Sequence, residues 1–319
     1  MSEPKSLQEA IVYFSNPDNC IDYLAIHRWP SGTVSCPTCG SNSVKFSEKR
    51  RTWQCSSHHA KREFSVKVGT VMEDSPIGLD KWLAAMWLVT NCKNGVSSYE
   101  IERDLKVTQK SAWFMLHRIR LAMQDENSGK LNGHVEVDET FIGGKARNMH
   151  LDKRERRITG TGGKDKTIVF GALERGGKVR TMVVADRKRG TLQTCVKEHV
   201  EAGSALYSDA LASYDGLAQD YAHQVIDHAE KYVDGKIHTQ GLDNFWSLLK
   251  RGIAGTYVSV EPFHLFRYLD EQVFRYNNRA TKERNVTDAD RFSMAVSKIV
   301  GKRLTFAELT GKVGAAEAF

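Results

Sequence analysis

The chain has 319 residues, long for one domain of ~100 to 200 residues and enough for two or three. At 40% hydrophobic and 27% charged, with 6 Pro against 25 Gly, it has the composition of a globular protein with sizeable cores, which excludes a disordered or fibrous chain. Lys and Arg number 46 against 39 Asp and Glu, a net +7 that permits a polyanionic partner without requiring one. No apolar run approaches the ~18 residues that cross a bilayer, and MSEPKSLQEA has neither a charged n-region nor an apolar h-region. The expectation is a cytoplasmic protein with no membrane partner. Six cysteines are too sparse for a disulfide scaffold, and three lie near a histidine, which points to a reducing compartment and to metal.

The first module is expected over 1–75. LQEAIVYF reads as a short helix, SVKF and RTWQC as alternating strands, and EFSVKVGTVM as a further strand. Cys36-x-x-Cys39, fifteen intervening residues and Cys55-x-x-His58 form two knuckles that can close a tetrahedral Zn2+ shell, with His59 as the alternative fourth ligand and the two-residue gap favouring His58. Four protein ligands leave no open position, so this zinc is expected to be structural.

Residues 76–128 change to a helical period. Leu79, Leu83, Met86 and Trp87, then Ile101, Leu105, Ala112, Met115, Leu116 and Ile119, mark three helices separated by NCKNGVSS and KVTQ, with Thr108 capping the third. The last two have the look of a helix-turn-helix ending in the basic pair Arg118 and Arg120, placed to meet DNA phosphates. Over 129–284 the pattern becomes strand-like at HVEVDETF, then a hairpin around ERGGK. A helix at LQTCVKEHV, a strand at SALYSDA, a helix near YDGL, a strand near HQVID and a long helix from about Gly241 to Ile253 follow. That order predicts an α/β domain, a mixed sheet flanked by helices. The span 145–166 holds eight Lys or Arg against three acids, a basic loop whose Lys145, Arg147, Arg154, Arg156 and Arg157 are expected to clamp a nucleic-acid backbone. Residues 285–319 read as a less regular tail.

Three acids stand in three contexts. Val135 and Val137 alternate with Glu136 and Asp138, Asp209 ends an apolar strand, and Asp243 lies on HTQGLDNFWSLLKRGI. On that helix Leu242, Phe245, Trp246, Leu249 and Ile253 form an apolar stripe, which places Trp246 in the core, while Asp243, Ser247 and Lys250 form a polar one. Two strand carboxylates and one helix carboxylate suit a pair of Mg2+ ions ~3.5 to 4 Å apart, with Lys250 and Arg251 facing phosphate.

YL...RWPSG...CPTCG, VDETFIGGK, YSDALASYDGL and HTQGLDNFWSLLKRG together resemble the DDE transposases of bacterial insertion sequences, in the group with an N-terminal zinc ribbon. The resemblance spans roughly residues 10 to 280. It implies an RNase H-like catalytic domain, cleavage at element ends with Mg2+ or Mn2+, strand transfer by a 3'-hydroxyl, and double-stranded DNA partners: terminal inverted repeats and target. It also implies a homodimer in the DNA complex. Asp138 and Asp209 match the family's two aspartates, Lys250 its lysine, and His238 belongs to the last motif as a site or DNA contact. The family's third acid is usually Glu. Here Asp243 stands at it, with Asn244 next in line, and Asp is one methylene shorter. That departure keeps two other readings open: a non-catalytic zinc-ribbon and helix-turn-helix regulator with a degenerate core, or an RNase H-like nuclease.

Overall fold

The computed structural model describes residues 3–125, 129–144, 150–157, 165–226 and 239–312. The chain divides into two compact units, Met1–Gln124 with Asn278–Phe319, and Asp125–Asn277.

The first unit opens with α1 (Leu7–Phe14), capped by Ser6, and α2 (Pro17–Arg28), which starts from Asn16 with proline at the first helical position. The sequence pattern does not announce α2, because its polar and apolar residues do not segregate to one face. A three-stranded antiparallel sheet follows: β1 (Val44–Ser47), β2 (Thr52–Cys55) and β3 (Glu63–Phe64). The long strand expected at EFSVKVGTVM stops after two residues. Beyond it the chain turns, Gly69 adopts a φ of 75°, and the Lys67 ammonium donates to the carbonyls of Ser75 and Ile77 at 3.0 and 2.6 Å.

Three helices then pack together: α3 (Leu79–Asn91), α4 (Ser98–Leu105) and α5 (Gln109–Met123). A Ser97/Glu100 capping box starts α4, and Thr108 caps α5 by accepting from the Ser111 amide. The segment from 285, expected as an irregular tail, is instead part of this unit. It forms α10 (Asp288–Val296), after a Thr287/Asp290 capping box, and α11 (Phe306–Leu309). The Phe292 ring lies 5.8, 5.5 and 5.0 Å from the rings of Phe14, Tyr23 and Trp87, so four separated segments share one aromatic core.

The second unit is built on a five-stranded mixed sheet in the order β6-β5-β4-β7-β8. The strands are β4 (His134–Ile142), β5 (Thr167–Glu174), β6 (Val179–Val184), β7 (Ala205–Asp209) and β8 (Ala222–Ile226). β5 runs antiparallel to both β4 and β6, and β7 and β8 are parallel to β4. Strand alternation separates two cores. Val135, Val137, Phe170 and Ala172 face α7 (Arg189–His199) with Tyr214 and Leu217. Ile142, Val169 and Leu173 face α8 (Gln240–Gly252) and α9 (Leu265–Asn277). Near YDGL the expected helix is two 3-10 turns, Ala212–Tyr214 and Leu217–Gln219. Within the basic span, α6 (Leu151–Arg157) is a short helix. Among the described residues no helix is long and apolar enough to cross a membrane.

Phe292→Ala should destabilise the first unit by about 3 to 5 kcal/mol, the usual cost of emptying a buried aromatic site. Denaturant unfolding followed by tryptophan fluorescence would read this, and a loss under about 1 kcal/mol would show that α10 is not part of that core.

Candidate active site and metal centre

Among the described residues, Cys36, Cys39, Cys55 and His59 form the one group of three or more His, Cys, Asp or Glu whose ligand atoms all lie within 4.8 Å of one another. Cys39 Sγ is 3.6 Å from Cys55 Sγ, and Cys36 Sγ is 3.5 Å from His59 Nε2. A tetrahedral Zn2+ shell with ordinary bond lengths needs edges of about 3.8 Å between sulfurs and about 3.6 Å between sulfur and nitrogen. Three soft thiols and an imidazole at these spacings fit zinc. The fourth member is His59, not the expected His58, whose position is exposed. After Cys55 the chain must return so that the Cys55 amide donates to the Arg62 carbonyl at 2.8 Å, and the turn that does this brings the second histidine onto the thiols. Burial alone would raise the Cys55 thiol, but hydrogen bonds from His59, Ser57 and Cys39 pull it down to about 6, toward the thiolate a metal requires.

In the second unit Asp138 sits mid-strand on β4, Asp209 is the last residue of β7, and Asp243 is in the first turn of α8. The β4 and β7 register pairs Glu136 with Tyr207, and two further residues along each strand bring Asp138 and Asp209 abreast. Burial raises the Asp138 carboxyl to about 6, and the charges of Asp209 and Asp243 add to the rise. The Trp246 hydrogen bond opposes it. Asp209 and Asp243 therefore both act on Asp138, although the three are spaced more widely than the zinc group.

The contact that sets this geometry is one the sequence does not reveal. Trp246 is buried as expected, yet its indole Nε1–H also donates to Asp138 Oδ2 at 2.8 Å. Gly171, paired with Asp138 across the strands, makes room for it, since a Cβ there would lie 2.5 Å from the Trp246 ring. The start of α8 is pinned as well. Glu136, buried on the same face of β4, accepts from the Leu242 amide at 3.1 Å and from Arg175 Nε at 2.8 Å, a carboxylate at a helix N-terminus. The one available sign of Trp246's second role is its place three residues after Asp243, at the border of the apolar and polar stripes.

On the opposite face of β4, Glu139 accepts from the Tyr214 hydroxyl at 2.7 Å. Burial is the main reason its carboxyl rises to about 7, with Asp209 and Asp138 adding to the effect. Asp243, Asn244, Ser247 and Lys250 are exposed along α8, and Arg251 follows them. The Asp243 charge adds to the rise of Asp138, and Asn244 is exposed next to it on α8.

The basic residues divide sharply. Arg118 and Arg120 are buried, so the expectation that they meet DNA is corrected. Arg118 donates to the carbonyls of Leu304 and Glu73 at 2.9 and 2.8 Å with its guanidinium over Phe114, because the C-terminal segment covers the last turns of α5. Arg154 on α6 is exposed. Lys145, Arg147 and His238 lie outside the described residues, as do the side chains of Arg156 and Arg157.

Residues 130–277, which contain all three acids, match the model of the ISXO2-like transposase domain, and residues 15–59 match that of the transposase zinc-ribbon domain. A transposase-like protein of Haemophilus influenzae is 31% identical over 106 residues, 33% of this chain and 85% of that protein. The chain belongs to the ISXO2-like transposase family. A protein in transposable element ISH50 of Halobacterium salinarum is 26% identical over 252 residues, 76% of this transposase chain and 84% of the relative. The zinc-ribbon match ends at His59, the histidine that completes the metal centre.

His59→Ala should lower bound zinc well below one equivalent while His58→Ala keeps it, as read by metal analysis of the purified transposase. Equal retention in both variants would remove His59 from the shell.

The raised Asp138 pKa predicts a pH effect in protein free of divalent ions other than zinc. The folded state favours the protonated acid, so the associated stability is complete below the ordinary carboxylate pKa of ~3.9 and is lost as pH rises through about 6. Asp138→Asn keeps an acceptor for Trp246 and removes the charge. Its melting temperature relative to the parent should therefore increase between pH 5 and pH 7.5, and a difference that is flat or larger in acid would contradict the buried charge.

Proposed function

We propose that this transposase cuts DNA at the ends of its element and joins the freed 3'-hydroxyl to target DNA, with Asp138, Asp209 and Asp243 holding Mg2+ or Mn2+. The convergence of three acids carried by β4, β7 and α8, with Asp209 and Asp243 adding to the burial that raises Asp138, is the observation that carries this reading. Carboxylate oxygens are the donors such ions prefer, and Asp138, Asp209 and Asp243 would hold a pair of them, which would supply charge for phosphoryl displacement. When bound, the ions would lower the cost of forming the attacking oxyanion and of expelling the 3'-oxygen in an in-line displacement.

The remaining roles belong to the chain's own groups. Trp246 fixes one Asp138 oxygen, and Glu136 fixes the start of the helix that carries Asp243. Lys250, two turns after Asp243 on the same stripe, and Arg251 would take phosphates of the strand being cut, and Arg154 would add to the clamp from α6. The mixed sheet, with β4 between an antiparallel hairpin and two parallel strands, supports an RNase H-like domain. The three-residue connection of α4 to α5 supports a helix-turn-helix, although burial of the end of α5 leaves only its first turn, with Lys110, to approach DNA. The zinc ribbon would present a surface for end DNA, and two protomers would bring two ends together.

Purified protein with Mg2+, labelled end DNA and a target plasmid tests this directly. Asp138→Ala and Asp209→Ala should each abolish cleavage and joining while leaving DNA binding intact. Cleavage that survives in both variants would defeat the assignment. Parent protein that cuts without joining would be a nuclease, and one that only binds would be a regulator.

A further inference from the structure

The two strand aspartates lie beyond the place where their strands are paired. The β4 and β7 register covers His134–Glu136 against Ala205–Tyr207, so neither Asp138 nor Asp209 belongs to a paired position between these strands. Asp209 is also where β7 ends, and the chain turns away from the sheet at once, with the Leu211 amide donating to Asp209 Oδ1 at 3.2 Å. Each is held by its outer neighbour, Asp138 opposite Gly171 and Asp209 opposite Ile226, so a fixed separation between the two depends on a contact that links β4 to the end of β7 directly.

Five residues after Asp209, in the 3-10 turn Ala212–Tyr214, the Tyr214 side chain drops into the core on the far side of the sheet from α8, where it is 1% exposed. Its hydroxyl donates to Glu139 Oε2 at 2.7 Å, and Glu139 is the chain neighbour of Asp138. Alternation along β4 sends Asp138 toward Trp246 and Glu139 toward Tyr214, so Glu139 does not look out on the same face as the metal-holding acids. The turn is braced from α7, where Gln193 donates to the carbonyls of Ser213 and Asp215 at 3.0 and 2.8 Å. The Glu139 side chain is itself only 3% exposed, and its other oxygen lies 4.0 Å from the half-exposed Arg187.

We infer that the Tyr214–Glu139 hydrogen bond is a positioning strut that sets the spacing of Asp138 and Asp209, joining the two strand ends behind the site where the ladder does not. The inference rests on the proposed divalent-ion site. Glu139 and Tyr214 touch neither ion nor DNA in this scheme; they act through their neighbours, as groups behind metal ligands commonly do.

Two variants separate this role from the simpler one in which Glu139 contributes charge. Glu139→Gln keeps an oxygen acceptor for the Tyr214 hydroxyl and removes the charge, whereas Tyr214→Phe keeps the charge and the ring and removes the hydrogen bond. Mn2+ affinity of the zinc-loaded full-length protein, read by electron paramagnetic resonance, should fall roughly tenfold or more in Tyr214→Phe and Glu139→Ala and stay within about twofold in Glu139→Gln. Cleavage should follow, with kcat rather than KM for DNA taking the loss and higher Mn2+ partly restoring it. Parent-like Mn2+ affinity in Tyr214→Phe, even with a lowered melting temperature, would reduce the pair to a core contact and overturn the strut. So would a Glu139→Gln as defective as Glu139→Ala. Asp138→Ala is the control: a parent without Asp138-dependent Mn2+ binding would overturn the metal site itself, and the strut with it.

Discussion

The second unit is organised around one hydrogen bond, from the Trp246 indole to the Asp138 carboxylate across the bare backbone of Gly171. A tryptophan that buries its ring still has to satisfy its N–H, and in an apolar core few acceptors are within reach. Here the acceptor is Asp138, the acid proposed to hold the divalent ions. The bond ties α8 to the sheet, and Glu136 ties its start by accepting from the free Leu242 amide. The side of α8 that carries Asp243 and Lys250 is thereby set, with both side chains exposed along it. Core packing and site geometry are the same set of contacts, which is why the carboxylate can remain buried and elevated in pKa without unravelling the strand that carries it.

Much of this was legible in the sequence, for physical reasons that differ from place to place. The hairpin at ERGGK, the strand at SALYSDA and the helix over LDNFWSLLKRG carry strong period-2 or period-3.6 signals, and the structure has β5 with β6, β7 and α8 there. The capping signal at Thr108 placed the start of α5. Where local signals mislead, a distant contact decides. EFSVKVGTVM alternates like a strand but leaves the β2 ladder after Phe64, Gly69 turns the chain, and only Thr70 is bridged again, to the distant Val300. HRIR looks like a basic recognition end, but residues near 304, almost two hundred positions away, cover it. The choice between His58 and His59 depends on how the turn closes to Arg62, which residue spacing does not encode.

The candidate site shows the same division. The three acids could be singled out from their contexts; what surrounds them could not, because Trp246, Glu136, Arg175 and Tyr214 each look like ordinary core or surface residues in their own segments. Such supporting groups act on partners 39 to 108 positions away in the chain. No window along the sequence contains both ends of any of these contacts.

The first unit is discontinuous in the chain. Its helices α1 to α5 are made early, yet the ring that plugs the space between Phe14, Tyr23 and Trp87 belongs to α10, which follows the whole of the sheet unit. During synthesis the early helices must wait with an open aromatic core while some 150 residues of the other unit are translated, a period in which exposed rings invite association with other chains. A messenger truncated after α9 would therefore yield a protein whose sheet is entire but whose zinc-ribbon half lacks its stopper, an outcome quite unlike loss of a dispensable end.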